Sequence, residues 1–160
     1  MDARPNRLLT FGAALSATAA ALHVAIIFGG PDWYRFFGAG ERFAQLDAAG
    51  SRVPALMTLG IATVLALWSA YALSGAGWLR RLPLLRTALV TISAIYLLRG
   101  LVLAPMLVMD ASQFTPFDWW SSIICLGYGV VHAVGLAQVW PGLPKAPPVD
   151  PAPVTAEVVR

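Results

Sequence analysis

Charged residues are scarce in this chain of 160 residues, because only 12% are Asp, Glu, Lys or Arg, whereas 58% are hydrophobic. A soluble domain carries about 25% charged residues, and half that supply cannot cover a surface exposed to water. The mean hydropathy of +0.70 agrees with this deficit. The composition therefore excludes soluble globular and disordered proteins and indicates an integral membrane protein.

Cysteine and lysine are nearly absent as well, with a single residue of each. Cys125 lies in an apolar run, so the chain can form neither an internal disulfide nor a cysteine cluster for zinc or iron–sulfur. Lys145 lies outside the apolar runs, which excludes a retinal Schiff base. The basic residues are scattered along the chain, which argues against nucleic acid as a partner. Ten arginines and abundant alanine favour a bacterial origin.

Four apolar runs are each long enough to cross a membrane as a helix, which takes about 20 residues. We expect transmembrane helices at about 8–29, 53–75, 85–108 and 118–140. The short connections between them predict an all-α, up-down four-helix bundle within residues 1–140. Pro105 removes a helical hydrogen bond from the carbonyl of Leu101, so we expect a kink there, which is consistent with an outward-opening cavity.

Targeting and orientation follow from the basic residues. Arg4 and Arg7 precede an Ala-Thr-Ala pattern at 17–19, as in a signal peptide. The apolar run continues to Phe28, beyond a typical h-region of about 7–15 residues, so we expect a transmembrane helix here and not a signal peptide. Seven of the 11 basic residues fall on the side of both termini. We therefore predict a bacterial inner-membrane protein with cytoplasmic termini. Residues 141–160 hold six of the 12 prolines and are expected to form a disordered cytoplasmic tail.

The loop between the first two runs mixes aromatic and charged residues closely. We expect one or two short amphipathic helices at the exterior membrane surface, hinged at Gly38 and Gly40 and ending at Gly50. Two interpretations are open: the aromatic residues dock the loop on lipid headgroups, or the loop is a lid over an exterior-facing cavity. The residues assigned to the lid, or to pairing with an arginine, are Trp33, Tyr34, Glu41 and Asp47.

Small and polar residues mark the helix faces that point into the bundle, because helices in lipid associate through close packing and satisfied polar contacts. With a rise of about 1.5 Å per residue, His23 lies about 9 Å below the outer surface, Arg99 about 13 Å and His132 about 20 Å. An outer polar cluster is expected from His23, Tyr96, Arg99, Ser122 and Cys125. A separate, deeper polar layer is expected around His132 and Tyr128.

Arg99 is the most informative residue, since a charge at this depth costs about 2.5–3.5 kcal/mol on insertion scales and normally has a partner. The apolar runs contain no carboxylate. Three partners are considered: a bound anionic ligand or lipid, the outer headgroups reached by snorkelling, or a loop carboxylate, namely Glu41, Asp47, Asp110 or Asp118. An ion pair with Glu41 would pin the loop to the bundle.

Catalytic and cofactor sites are not evident in the sequence. Two histidines at different depths, without a carboxylate in the apolar runs, form neither a zinc site nor a bis-histidine haem. We therefore predict no metal and no cofactor. The pair Ser121 and Ser122 lies above His132, with no acid placed for a catalytic triad. His23 acting as an acid–base in a membrane enzyme is kept as a third hypothesis for the function.

Two other functions come first. In one, the protein binds a small polar or anionic molecule or lipid in an outward-facing cavity between the helices. In the other, it is a structural or accessory subunit of a membrane complex, whose polar residues pair among themselves. Membrane lipids surround the protein in either case, and a homo-oligomer or a larger complex is left open. Its length, four apolar runs and polar outer layer are shared by many small bacterial membrane families, including the DoxX-like proteins, and no motif assigns the chain to one.

Overall fold

The structure is a computed structural model that describes residues 5–109 and 114–143. These residues form α-helices and no strands. The α-helices are α1 (Arg7–Gly29), α2 (Pro31–Phe36), α3 (Glu41–Ala48), α4 (Val53–Ala76), α5 (Leu85–Leu101), α6 (Leu103–Val108) and α7 (Pro116–Val139). Four segments are long and apolar enough to cross a membrane: Arg7–Gly29, Val53–Ala76, Leu85–Pro105 and Pro116–Gly142. The predictions of an all-helical chain and of four long apolar helices are confirmed.

Local signals account for the ends of the long helices. The side-chain oxygen of Asn6 caps α1 by accepting a hydrogen bond from the backbone N–H of Leu9 at 2.9 Å. Gly77 ends α4 in the left-handed conformation, with φ of 93°. At the start of α7, Thr115 and Asp118 bond reciprocally to each other's backbone N–H in a capping box. The third long segment is interrupted at Val102, between α5 and α6, as predicted from the proline at 105.

α1 packs against both α4 and α7, and α5 packs against α7. At the start of α1, Asn6 donates its backbone N–H to the carbonyl of Ala76 at 2.9 Å and its side-chain amide to Gln138 at 2.8 Å. About two turns further along α1, the Ser69 hydroxyl donates to the carbonyl of Ala13 at 2.8 Å. The first turn of α1 therefore lies beside the last turns of α4 and α7.

Two glycines allow the backbones of α5 and α7 to approach each other closely. A Cβ atom added at Gly100 would lie 2.6 Å from the backbone N and Cα of Leu126. One added at Gly129 would lie 2.8 Å from the backbone N of Leu97. Helices in lipid associate in this way, with small residues that allow backbone contact.

The two short helices expected between the first two apolar runs form as α2 and α3. The turn between them passes through Gly38 and Gly40, whose φ angles of 71° and 90° favour glycine. Tyr34 and Ala44 are completely buried and pack against Ile26 of α1. This small core fastens the loop to the end of α1.

The described chain continues three residues past position 140, where the tail was expected to begin. A short 3-10 helix covers Trp140–Gly142, and Leu143 is 8% exposed in a core cluster with Leu9 and Leu85. The guanidinium of Arg86 lies 3.9 Å from the Trp140 ring centroid, which holds this turn against α5. The rest of the predicted tail, 144–160, lies outside the described residues.

Shortening Leu143 is expected to destabilise this end of the protein. Leu143→Ala should lower the free energy of unfolding by about 2 kcal/mol or more, because it removes buried methyl groups and leaves a cavity. Thermal unfolding in mild detergent measures the change. Leu79→Ala is the control, since Leu79 is 46% exposed at the same end of the molecule. Equal stability of the two variants would contradict the burial of Leu143.

Candidate ligand-binding cavity

A cavity of about 470 Å³ lies between α1, α4, α5 and α7. This volume falls within the range of about 300–1,000 Å³ that small-molecule sites occupy. Most of the lining is apolar, with aliphatic side chains from all four helices and aromatic rings at both ends. The predicted site residues that line it are His23, Tyr96, Arg99, Cys125 and Tyr128.

A second concavity, about 530 Å³, lies at the start of α1 and is a more open surface groove. It is lined by Pro5, Arg7, Thr10, Phe11, Ala14 and Trp78. Trp78 donates its indole N–H to the Thr10 hydroxyl at 3.0 Å across this groove. None of the predicted site residues lines it, so the interhelical cavity is the candidate site.

Arg99 is held in the cavity wall by two serines of α7. One terminal nitrogen donates to the Ser122 hydroxyl at 2.7 Å, and the other donates to the Ser121 hydroxyl at 3.0 Å. Ser122 is completely buried and does not line the cavity, whereas Ser121 does. The two bonds fix the plane of the guanidinium, which in a long, flexible side chain is otherwise mobile.

The expected ion pair between Arg99 and Glu41 does not form. Glu41 instead accepts two hydrogen bonds from Arg35, at 2.8 and 3.0 Å. Both ion pairs found in the described part of the chain involve Arg35, whose other partner is Asp32. Asp118 is engaged in the capping box of α7, and Asp47 lies beside Gly30. Asp110 lies outside the described residues.

The ion pairs of Arg35 make the loop sensitive to acid. The Arg35 guanidinium lowers the pKa of Glu41 from its ordinary value. A carboxylate whose pKa is lower in the folded state contributes stability above its unfolded pKa and loses that contribution as the pH falls through its folded pKa. We expect hydrogen-exchange protection of residues 31–48 to fall on acidification below about pH 4. Glu41→Gln should weaken this dependence, since Asp32 keeps its own ion pair with Arg35, and an unchanged pH profile in that variant would contradict the role of Glu41.

Tyr96 connects the outer cluster to the deeper layer, which were expected to be separate. Its hydroxyl lies 3.0 Å from that of Ser16, and Ser16 lies 3.4 Å from Nε2 of His132. Nδ1 of His132 lies 2.8 Å from the carbonyl of Tyr128, which can only accept. In the neutral ring Nε2 is then an acceptor, so Ser16 donates to His132 and Tyr96 donates to Ser16. The ring of Tyr96 lines the cavity, but its hydroxyl proton points away from the cavity, toward Ser16.

His23 and Cys125 complete the polar part of the lining. Nδ1 of His23 lies 2.8 Å from the carbonyl of Ala19, so it carries the proton and Nε2 is left as an acceptor in the neutral ring. Cys125 is a free, half-buried thiol. The outer cluster predicted from the sequence is therefore brought together around the cavity, with Ser122 behind Arg99.

The loop reaches the cavity through a residue other than the four assigned to the lid. Phe37, after α2, lines the cavity, whereas Trp33, Tyr34, Glu41 and Asp47 do not. A Cβ atom added at Gly38 would clash with the Phe117 ring, so the turn packs directly against the start of α7.

The lining residues that the sequence did not assign to the site include Phe37, Trp68 and Ser121. Trp68 packs edge-on against Tyr96, with ring centroids 5.0 Å apart. It lies in the middle of an apolar run, where a tryptophan gives no signal that separates a cavity wall from a lipid-facing side chain. The neighbouring pair of serines was a usable signal, because either hydroxyl is within reach of an arginine one helix away.

Fold and cavity together define a helical protein with four helices able to cross a membrane and an amphipathic cavity between them. Among the described residues, no group of three His, Cys, Asp or Glu side chains could hold a metal ion. Comparison with family models, with curated proteins and with solved structures finds no match to this chain.

Proposed function

We propose that this chain is a multi-pass membrane protein that binds a small polar or anionic molecule, or a lipid, in the cavity between its helices. The observation that carries the proposal is the position of Arg99, a permanent cation that lines a largely apolar cavity and is oriented there by two serines. A charge inside the membrane is costly and marks a functional site. The attraction between Arg99 and a bound anionic group would offset the free-energy cost of placing this charge inside the membrane.

The proposed topology is an up-down bundle in the bacterial inner membrane with both termini in the cytoplasm. The contacts of Asn6 with Ala76 and Gln138 support alternating helix directions. The distribution of basic residues supports the orientation. In this topology His23, Arg99 and Cys125 lie in the outer half of their helices, so the cavity is exterior-facing.

The alternative, an accessory subunit without a ligand, expects a carboxylate on Arg99 and no cavity. Glu41 is taken by Arg35, and a cavity of about 470 Å³ is present, which favours binding. The third hypothesis, an enzyme using His23 as an acid–base, has the least support, because among the described residues His23 bonds only to the carbonyl of Ala19 and to no side chain that could act with it.

Native mass spectrometry of the protein in mild detergent tests the proposal. We expect a small-molecule adduct on the purified protein, and its loss in Ala19→Phe, since Ala19 lines the cavity and a phenyl ring would fill it. Ala17→Phe is the matched control, because Ala17 is exposed on the same helix. A folded wild-type protein without adduct would favour the accessory-subunit function, and an adduct retained by Ala19→Phe would show that the molecule binds outside this cavity.

A further inference from the structure

We infer that the ligand is a hydrophobic acid with one negative charge and a single chain or ring system, with its acid group on Arg99 and its apolar body against Trp68 and Leu65. This inference rests on the proposed function and narrows its ligand class. It follows from the charge, the hydrogen-bonding groups and the shape of the cavity.

The charge of the lining favours a monoanion. Arg99 is the only Lys, Arg, Asp or Glu among the described residues that line the cavity. A single negative charge is matched by this cation, whereas the second charge of a phosphate monoester would stay uncompensated in a medium of low dielectric constant. A cationic ligand would meet repulsion from Arg99.

The hydrogen-bonding groups favour an acceptor over a donor at Arg99. A guanidinium has five N–H donors and no acceptor, and its planar fork matches a carboxylate. The hydroxyl of Thr18, which also lines the cavity, already donates to the carbonyl of Ala14 at 2.9 Å. The two serines accept from Arg99. A carboxylate, which only accepts, uses this arrangement better than an alcohol does.

The shape favours one hydrophobic body below the acid group. Tyr96, one helical turn from Arg99, packs edge-on against Trp68 and Tyr128, with centroids 5.0 and 5.4 Å apart. Leu65 of α4 lies in the same wall. About 470 Å³ suits one compact molecule, so a two-chain phospholipid would leave a chain outside.

Cys125 supplies a native reporter for the test. It is the only cysteine of the chain, it is half-buried, and it lines the same cavity as Arg99. A molecule bound at Arg99 should therefore slow alkylation of this thiol, which mass spectrometry of the intact protein measures directly.

The experiment measures the alkylation rate of Cys125 by N-ethylmaleimide in the full chain, in nanodiscs of phosphatidylcholine. Dodecanoate, dodecanol and dodecyltrimethylammonium are the added probes, equal in chain length and different in charge. We expect dodecanoate to protect Cys125 at a concentration at least about tenfold lower than dodecanol, from its charge-assisted hydrogen bonds. Arg99→Gln should abolish that difference. Ser121→Ala, which keeps the charge and loses one positioning bond, should reduce it.

Each other outcome identifies what fails. Equal protection by the acid and the alcohol would overturn the inference of an acid and leave the cavity proposal standing. Full protection by phosphatidylglycerol in the nanodisc, without dodecanoate, would replace the single-chain acid by a lipid headgroup. Absence of protection by every probe would overturn the inference, and together with the absence of an adduct in native mass spectra it would overturn the proposed function as well.

Discussion

Gly100→Ala is expected to push α5 away from α7 and to lower the free energy of unfolding by about 1–3 kcal/mol, toward the upper end of that range. The added Cβ would lie 2.6 Å from the backbone N and Cα of Leu126, and backbone atoms cannot rotate aside as a side chain can. Gly100 follows Arg99 directly, so the same displacement would separate the guanidinium from its two serines. Both stability and ligand binding should fall.

A matched control for this variant lies on the facing helix. A Cβ atom at Gly127 meets no atom within 4 Å. Gly127→Ala should therefore leave the protein unchanged or more stable, since alanine in a helix interior is favoured over glycine by about 1 kcal/mol. Gly129→Ala, at 2.8 Å from the backbone of Leu97, should be destabilising like Gly100→Ala. Thermal unfolding in detergent measures the stability of the three variants. If Gly127→Ala were as destabilised as Gly100→Ala and Gly129→Ala, the close contact of α5 and α7 would be contradicted.

The long helices were predictable because their cause is local. A run of about 20 apolar residues can satisfy its backbone in a membrane only as a helix. The observed bounds Arg7–Gly29 and Val53–Ala76 lie within one residue of those expected. The position of Leu143 was not predictable in the same way, since a proline-rich segment gives no sign of the core cluster that one of its residues enters.

The candidate site was predictable in part of its membership and less so in its bonds. Helical spacing and depth placed His23, Arg99 and Cys125 on inward faces at similar levels, and all three line one cavity. The partner of Glu41 could not be predicted because two arginines were candidates, and Arg35, six residues away in the same loop, binds Glu41 in place of Arg99. The bonds of Tyr96 depended on the direction of its side chain, whose hydroxyl contacts Ser16 in the deeper layer while its ring lines the cavity.

Ser16→Ala is expected to have the second large effect, because Ser16 is the central member of the buried chain from Tyr96 to His132. Removing its hydroxyl leaves the Tyr96 proton and Nε2 of His132 without their partner, at about 1–3 kcal/mol for each buried group. A single interhelical hydrogen bond in a membrane contributes on average only about 0.6 kcal/mol. Ser16→Ala breaks two such bonds and leaves a buried polar group at each end. We expect a loss of about 2 kcal/mol or more in the free energy of unfolding.

The direction of the chain gives this prediction a second, independent test. In Tyr96→Phe, Ser16 keeps its own proton and still donates to His132, so this variant should lose less stability than Ser16→Ala. Ser93→Ala is the control, because the Ser93 hydroxyl is also buried but donates to the Leu89 carbonyl of its own helix at 2.8 Å. That carbonyl already accepts a helical bond, so little should change. A Tyr96→Phe variant as destabilised as Ser16→Ala would contradict this direction, because it would mean that Ser16 donates its proton to Tyr96 and not to His132.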